Sequence, residues 1–205
     1  KTNWAEIGHK VSFAQEILIK EKNQNLLKIL KEEIYEKPKI VSGAFAVGIH
    51  GKDFSIIFDK REGGLSSLVY NEKEYITRVP KISFHRAATD NDVGCGFHNA
   101  SAQWKIAGQN SRLIGSNFTT NEEERFLNAV YNFESGSNPS FKFTVSYKAY
   151  FDGHIEVKAD FPGIEKADNL LKELPIFALD FKLKYENHNF EYYGFGPDEN
   201  YVDRC

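Results

Sequence analysis

Hydrophobic and polar positions alternate with a period of two along most of this chain. Near its start Val11, Phe13 and Gln15 alternate with Lys10, Ser12 and Ala14. That period puts successive side chains on opposite faces of an extended strand, one face toward a core. It predicts a hairpin of strands at 45–50 and 54–58 turning at Gly51-Lys52-Asp53. Gly63-Gly64 predicts a second turn, leading into a strand at 65–70 and a turn at Asn71-Glu72-Lys73 before Tyr75. Further strands are predicted at 81–86, 112–119, 126–133, 140–151, 154–161, 176–184 and 190–195. The joins Gly136-Ser137-Asn138-Pro139 and Asp152-Gly153 carry turn chemistry. Many short strands at this spacing predict an all-β fold, a β-sandwich.

One segment breaks the alternation. Residues 20–37 are rich in Lys, Glu and Leu, with Leu26, Leu27, Leu30 and Ile34 at helical offsets. They read either as a short amphipathic helix or as an interdomain linker edged by Pro38. The shift in composition places a domain boundary near Lys37, with 1–37 on one side and 38–205 on the other. The first twenty residues are too short to fold alone, so their one strand belongs to a sheet completed elsewhere. No repeat at solenoid or propeller periods is present.

Composition narrows the function classes. With 205 residues, 41% hydrophobic and 27% charged, the chain suits one substantial soluble domain, or one domain and part of another. A net charge of -3, with Lys and Arg scattered among acids, weighs against a nucleic-acid partner. No apolar run approaches the roughly 20 residues needed to span a bilayer, and Lys1-Thr2-Asn3-Trp4 opens no signal peptide. A cytoplasmic location is therefore the default expectation. Aromatic residues make up 14%, which fits either an all-β core or a surface that stacks on the apolar faces of sugars.

Two stretches carry dense chemistry. In the first, Phe84 to Gly94, a charge cluster of Arg86, Asp90 and Asp92 abuts an apolar strand. Thr89-Asp90-Asn91-Asp92 favours turns, because each side chain can bond nearby backbone amides. Gly94 and Gly96 then suit a loop that moves or approaches a ligand closely. The stretch reads as a polar rim at a sugar site or interface, or as an arginine–carboxylate network pinning a long loop to the sheet. No metal site is predicted. Asp90, Asn91 and Asp92 lack the alternating ligands and closing Glu of a calcium loop, and His85 and His98 match no zinc spacing. Cys95 and Cys205 are the only cysteines and form no C-x-x-C pair. Trp104 reads as core or as the border of a ligand cleft. The second stretch, 192–204, contains Asp198, Glu199, Asp203 and Arg204, but Pro197 rules out a phosphate cradle. Glycosidic acid/base chemistry needs two carboxylates about 5 to 10 Å apart on a rigid frame. Nothing in the sequence specifies such a pair, so no catalytic residue is predicted.

Together these stretches resemble family 2 glycoside hydrolases of the β-galactosidase type. Arg86-Ala87-Ala88-Thr89-Asp90-Asn91-Asp92-Val93-Gly94 resembles the family's R-A-P/T-T/L-D-N-D-x-G signature. Tyr193-Gly194-Phe195-Gly196-Pro197-Asp198-Glu199-Asn200-Tyr201-Val202-Asp203-Arg204 resembles its Y-G-x-G-P-x-E-N-Y-x-D-R signature. Trp104 with Ala107-Gly108 resembles its W-x-x-A-G element, and residues 4–15 look like the last strand of a preceding immunoglobulin-like domain. His85 departs from the bulky aromatic usual before the arginine, and Phe195 from a residue that is often Arg.

The resemblance implies a C-terminal β-sandwich of the galactose-mutarotase-like kind, cut short of the family's full domain. The parent would be a retaining enzyme that hydrolyses terminal β-D-galactosyl residues, as in lactose. Its two catalytic glutamates lie on a TIM barrel in the same chain or in a large subunit. This segment would supply architecture and a loop at the rim of the substrate site, mapped here to Gly94, Cys95, Gly96, Phe97 and His98. Arg86, Asp90, Asn91 and Asp92 would anchor that loop. The implied partners are the rest of the enzyme and a galactoside, with no nucleic acid or membrane, and a homo-oligomeric parent. No cofactor is expected in this segment, since the family's Mg and Na or K ions are bound mainly by other domains. The segment alone is expected to hydrolyse nothing. Two other readings stand beside this one: a stand-alone carbohydrate-binding module, and a free mutarotase-like epimerase using His154 with Glu156 or Glu165.

Overall fold

Alternation that buries one face per strand should give two sheets closing on a shared core, and this is the architecture found. The computed structural model describes residues 37–164 and 173–184. Contacts divide the chain into Lys1–Ile34 and Tyr35–Cys205, and every described residue belongs to the second unit. The predicted strand at 4–15, the helix or linker at 20–37 with its boundary, the strand at 190–195 and the signature at 192–204 all lie outside the described residues.

The first sheet contains β1 (Lys39–Ser42), β2 (Ala46–His50), β3 (Phe54–Asp59), β4 (Gly64–Tyr70) and β5 (Lys73–Glu74), antiparallel and in that order. The β2–β3 register sets Val47 opposite Phe58 and Ile49 opposite Ile56, all four buried. Their hairpin turns where expected: the Gly51 amide donates to the Phe54 carbonyl at 2.9 Å. A Cβ on Gly51 would lie 2.1 Å from the Phe54 ring, so a side chain there would force that ring to shift. Between β4 and β5, Asn71 (φ 47°) and Glu72 (φ 65°) form a two-residue turn with both residues left-handed. Glu74 then ties β5 down. Its carboxylate accepts from the Ser67 hydroxyl at 2.5 Å and from the Leu68 amide at 2.8 Å. Burial alone would raise its pKa, but these bonds and those from the Ile76 and Tyr75 amides outweigh it and hold the group low.

The second sheet runs β10-β9-β8-β7, built from β7 (Arg112–Asn121), β8 (Phe126–Glu134), β9 (Lys142–Tyr150) and β10 (Ile155–Asp160). Across β8 and β9 the inward pairs are Leu127/Ala149, Ala129/Tyr147, Tyr131/Val145 and Phe133/Phe143, every one buried. The outward faces are polar: Thr144 donates to the Asn132 side-chain oxygen at 3.0 Å. The two sheets share one core, with the Phe58 and Tyr147 rings 5.5 Å apart. The Tyr70 hydroxyl bridges them by donating to the Gly153 carbonyl at 2.6 Å. The fold is thus an all-β sandwich.

A shorter pair, β6 (Lys81–Ser83) with β11 (Ala178–Asp180), adds to this core. The strand predicted over 81–86 stops at Ser83. Phe84 instead turns inward as a hub, its ring 5.2 to 5.9 Å from those of Trp104, Phe141, Phe143, Phe161 and Phe177. After it come three short helices where a loop was expected: α1 (Asp90–Gly94), α2 (Phe97–Ala100) and α3 (Ala102–Gln109).

Candidate functional site

The polar segment after Phe84 converges on Arg86. Its guanidinium donates to both oxygens of Asp92, Nη1 to Oδ2 at 2.5 Å and Nη2 to Oδ1 at 3.2 Å, and to the Ala87 carbonyl at 3.0 Å. The same Asp92 Oδ2 accepts from the Thr89 amide at 2.7 Å, while the Thr89 hydroxyl accepts from the Asp92 amide at 3.4 Å. This reciprocal capping box is why a helix starts at Asp90. Arg86 holds the Asp92 carboxyl far below the usual carboxylate range, with the Thr89 amide adding to the effect. The pair is partly open to water, with side chains 28% and 18% exposed. Its bidentate geometry therefore matters more for position than for stability.

Gly96 adopts a left-handed conformation (φ 72°) and breaks the segment between α1 and α2. Next to it Phe97 is half-buried, whereas 93–96 and 98–100 are all exposed. The Phe97 ring lies under the Arg86 guanidinium at 5.1 Å and beside the His85 ring at 5.7 Å. Ser101 fixes its backbone, hydroxyl and amide both donating to the Phe97 carbonyl at 2.7 and 2.8 Å. His85 has its pKa lowered by burial first, and then by the nearby charges of Lys105, His98 and Arg86.

Helix α3 seats this segment on the sandwich. Trp104, Ala107 and Gly108 face inward, and a Cβ on Gly108 would lie 2.7 Å from the Ile82 carbonyl. The Gln103 side-chain oxygen accepts from the Asn138 amide at 3.1 Å, linking α3 to the β8–β9 turn. Beside β6 and α3 opens a cavity of about 480 Å³, whose described lining includes Arg78, Lys81, His85, Lys105, Glu62 and Asp180.

With this geometry in place, comparison with known proteins decides the family. The family profile described as "Beta galactosidase small chain" matches residues 50–205. The chain belongs to that family. A β-galactosidase of Clostridium acetobutylicum is 37% identical over 204 residues, covering 100% of this chain and 22% of the relative. A β-galactosidase of Halalkalibacterium halodurans is 34% identical, covering 98% of this chain and 19% of its own length. The β-galactosidase small subunit of Latilactobacillus sakei is 29% identical over 188 residues, 80% of this chain and 56% of that subunit. The chain thus spans about a fifth of the length of the first two relatives.

In this small-chain sandwich the sequence-predicted site residues separate into two groups. Arg86 and Asp92 form the network, and Phe97 joins it through its ring. Asp90 and Asn91 sit exposed on the first turn of α1, their side chains without a hydrogen bond or ion pair among the described residues. Asn91 helps through its carbonyl, which accepts from the Cys95 amide at 3.2 Å. Gly94, Cys95, Gly96 and His98 are exposed, and a Cβ at Gly94 or Gly96 would meet nothing within 4 Å. The cleft-border reading of Trp104 is corrected: it is 2% exposed and packs in the core. His154 lies in the β9–β10 turn against the Tyr150 ring, while Glu156 accepts from the Tyr150 hydroxyl at 3.1 Å, and Glu165 is outside the described residues. Among the described residues no three His, Cys, Asp or Glu side chains cluster to hold a metal, and no helix is long and apolar enough to cross a membrane.

Two signals for this site were readable earlier. Thr89-x-x-Asp92 is a capping box, and Trp104, Ala107 and Gly108 follow helical spacing. The inward turn of Phe97 had no such signal.

Proposed function

We propose that this chain is a C-terminal segment of a retaining β-galactosidase that hydrolyses terminal β-D-galactosyl residues such as those of lactose. The segment supplies no catalytic group. Two glutamates on a TIM barrel, in the same chain or in a large subunit, perform the chemistry. The sandwich, of galactose-mutarotase-like kind and preceded by a strand of an immunoglobulin-like domain in 1–37, completes the architecture. Its loop of Gly94, Cys95, Gly96, Phe97 and His98 borders the galactoside, and the Mg and Na or K ions of the parent sit mainly on other domains. The parent enzyme works in the cytoplasm as a homo-oligomer, without nucleic-acid or membrane partners.

The observation that supports this best is the Arg86–Asp92–Thr89 network inside a chain that matches the small-chain family over 50–205. Arg86 and Asp92 bond one another and nearby backbone groups. A carboxylate whose pKa is held so low is a poor proton donor near neutral pH, and the Asp92 oxygens are engaged by Arg86 and the Thr89 amide, which fits a strut. The test is a chromogenic galactoside offered to the purified chain, with calorimetry against galactose and lactose alongside. No turnover and no heat are expected. Turnover would overturn the non-catalytic reading, and sugar binding by the chain alone would favour a stand-alone module.

A further inference from the structure

The geometry points to Phe97 as a positioning residue: with Asp92 it forms a two-point latch on one guanidinium, that of Arg86, and this latch sets where the exposed tip 93–96 stands. The inference rests on the rim-loop reading above and gives that loop its mechanism.

Three observations carry it. The Asp92 carboxylate accepts from the Arg86 guanidinium through both oxygens, and the same guanidinium lies over the Phe97 ring at 5.1 Å. A guanidinium can serve both at once, because its donors lie in the plane that the ring stacks against. Between the two contact points the chain is held by its own backbone: the Val93 amide donates to Thr89, the Cys95 amide to Asn91 and Asp92, and the Gly96 amide to Val93. Residues 93–96 are exposed, Gly96 is left-handed, and Val93 is 59% exposed. Finally, Phe97 is clamped from its other partners as well. The His85 ring lies 5.7 Å away at 33°, and the Ser101 hydroxyl and amide hold its carbonyl. An aromatic side chain gripped this way inside an exposed stretch has a positional task, since it adds little to the sandwich core from which it is separate.

The shared guanidinium makes a specific demand. Asp92 and Phe97 should be energetically coupled through Arg86, which both of them touch. Removing either loosens the grip between Arg86 and this segment, which weakens what the other still does.

Cys95 is exposed, free and at the centre of the tip, so it can report on the latch directly. The 205-residue chain would carry Cys205→Ser and a nitroxide on Cys95. In that background Phe97→Leu and Asp92→Ala are each expected to narrow the resonance lines as the tip gains motion, while Phe97→Tyr leaves them unchanged. In the full-length parent enzyme, Phe97→Leu is expected to raise KM for o-nitrophenyl galactoside about threefold, the size of one exposed cation–π contact. The value of kcat should stay within about twofold, Phe97→Tyr should restore KM, and Phe97→Leu added to Asp92→Ala should raise KM by less than it does alone. Unchanged nitroxide lines in Phe97→Leu would overturn the latch. Freer lines with an unchanged KM would keep the latch and remove the loop from the galactoside site, and strictly additive effects would overturn the shared guanidinium.

Discussion

The β8–β9 face of the sandwich and the 85–101 segment are built from the same chain by opposite means. On the sheet, four inward pairs from Leu127/Ala149 to Phe133/Phe143 are all buried, and each side chain is replaceable in kind but not in volume. In the segment almost nothing is buried, and position depends on one arginine, one carboxylate and one ring. The sheet is held by area, the segment by geometry. The lesson is that stability and placement are separable here: a change can loosen the segment without melting the protein, or melt the protein without altering the segment's contacts. Functional loops generally come from such low-stability regions.

The sharpest way to break that contrast is at Phe84, the residue where the two regions meet. Phe84→Ala removes contacts to five rings and should cost about 3 to 5 kcal/mol in urea unfolding. Phe97→Ala should leave the unfolding midpoint nearly in place. Equal losses would mean that the segment is part of the core after all. Next in size is Gly108→Val. Its Cβ would strike the Ile82 carbonyl, so a loss of about 1 to 3 kcal/mol is expected from overpacking.

pH separates the regions in opposite directions. Burial pushes the Tyr147 hydroxyl up to about 12 and Tyr131 higher still. Both stay neutral in the fold where an unfolded tyrosine would ionise near about 10. Stability should therefore be full below that value and fall as pH rises toward 12, followed by circular dichroism. Asp92 behaves inversely. Its folded pKa is depressed, so the anchor is present above the ordinary carboxylate value and lost only as pH falls well below it. Nitroxide motion at Cys95 should stay constant from pH 7 down through about 4 and increase only well below that value. The smallest effect is expected at Gly94→Ala, where nothing lies within 4 Å of the new methyl group, and stability should hold within about 0.5 kcal/mol.

Much of the sandwich was legible in the sequence for a simple reason. Each strand buries one face, so period-two alternation and Gly or Asn turns mark β2 to β4 and β7 to β10 directly. What escaped were elements with too little burial to leave a pattern. β1 and β5 are edge pieces with mostly exposed or half-buried residues, and α1 and α2 bury none. Residues 84–86 looked like strand because Phe84 is apolar, but its ring is drawn into a cluster formed by residues up to 93 positions away in sequence, Phe177 among them. The site was half legible. Arg86 and Asp92 stood out as charges needing partners, whereas Asp90 and Asn91 shared the composition without the contacts. Phe97 could not be read at all, because its role depends on the left-handed turn at Gly96 that aims it back at Arg86.

On the proposed function, this polar segment is a strut that places a loop for chemistry performed elsewhere. Its most direct test is Asp92→Ala in the full-length parent enzyme, with KM, kcat and melting temperature measured together. A KM raised severalfold, with kcat and melting temperature close to wild type, is the expected result. An unchanged KM at an unchanged melting temperature, or a collapse of kcat with KM intact, would contradict it.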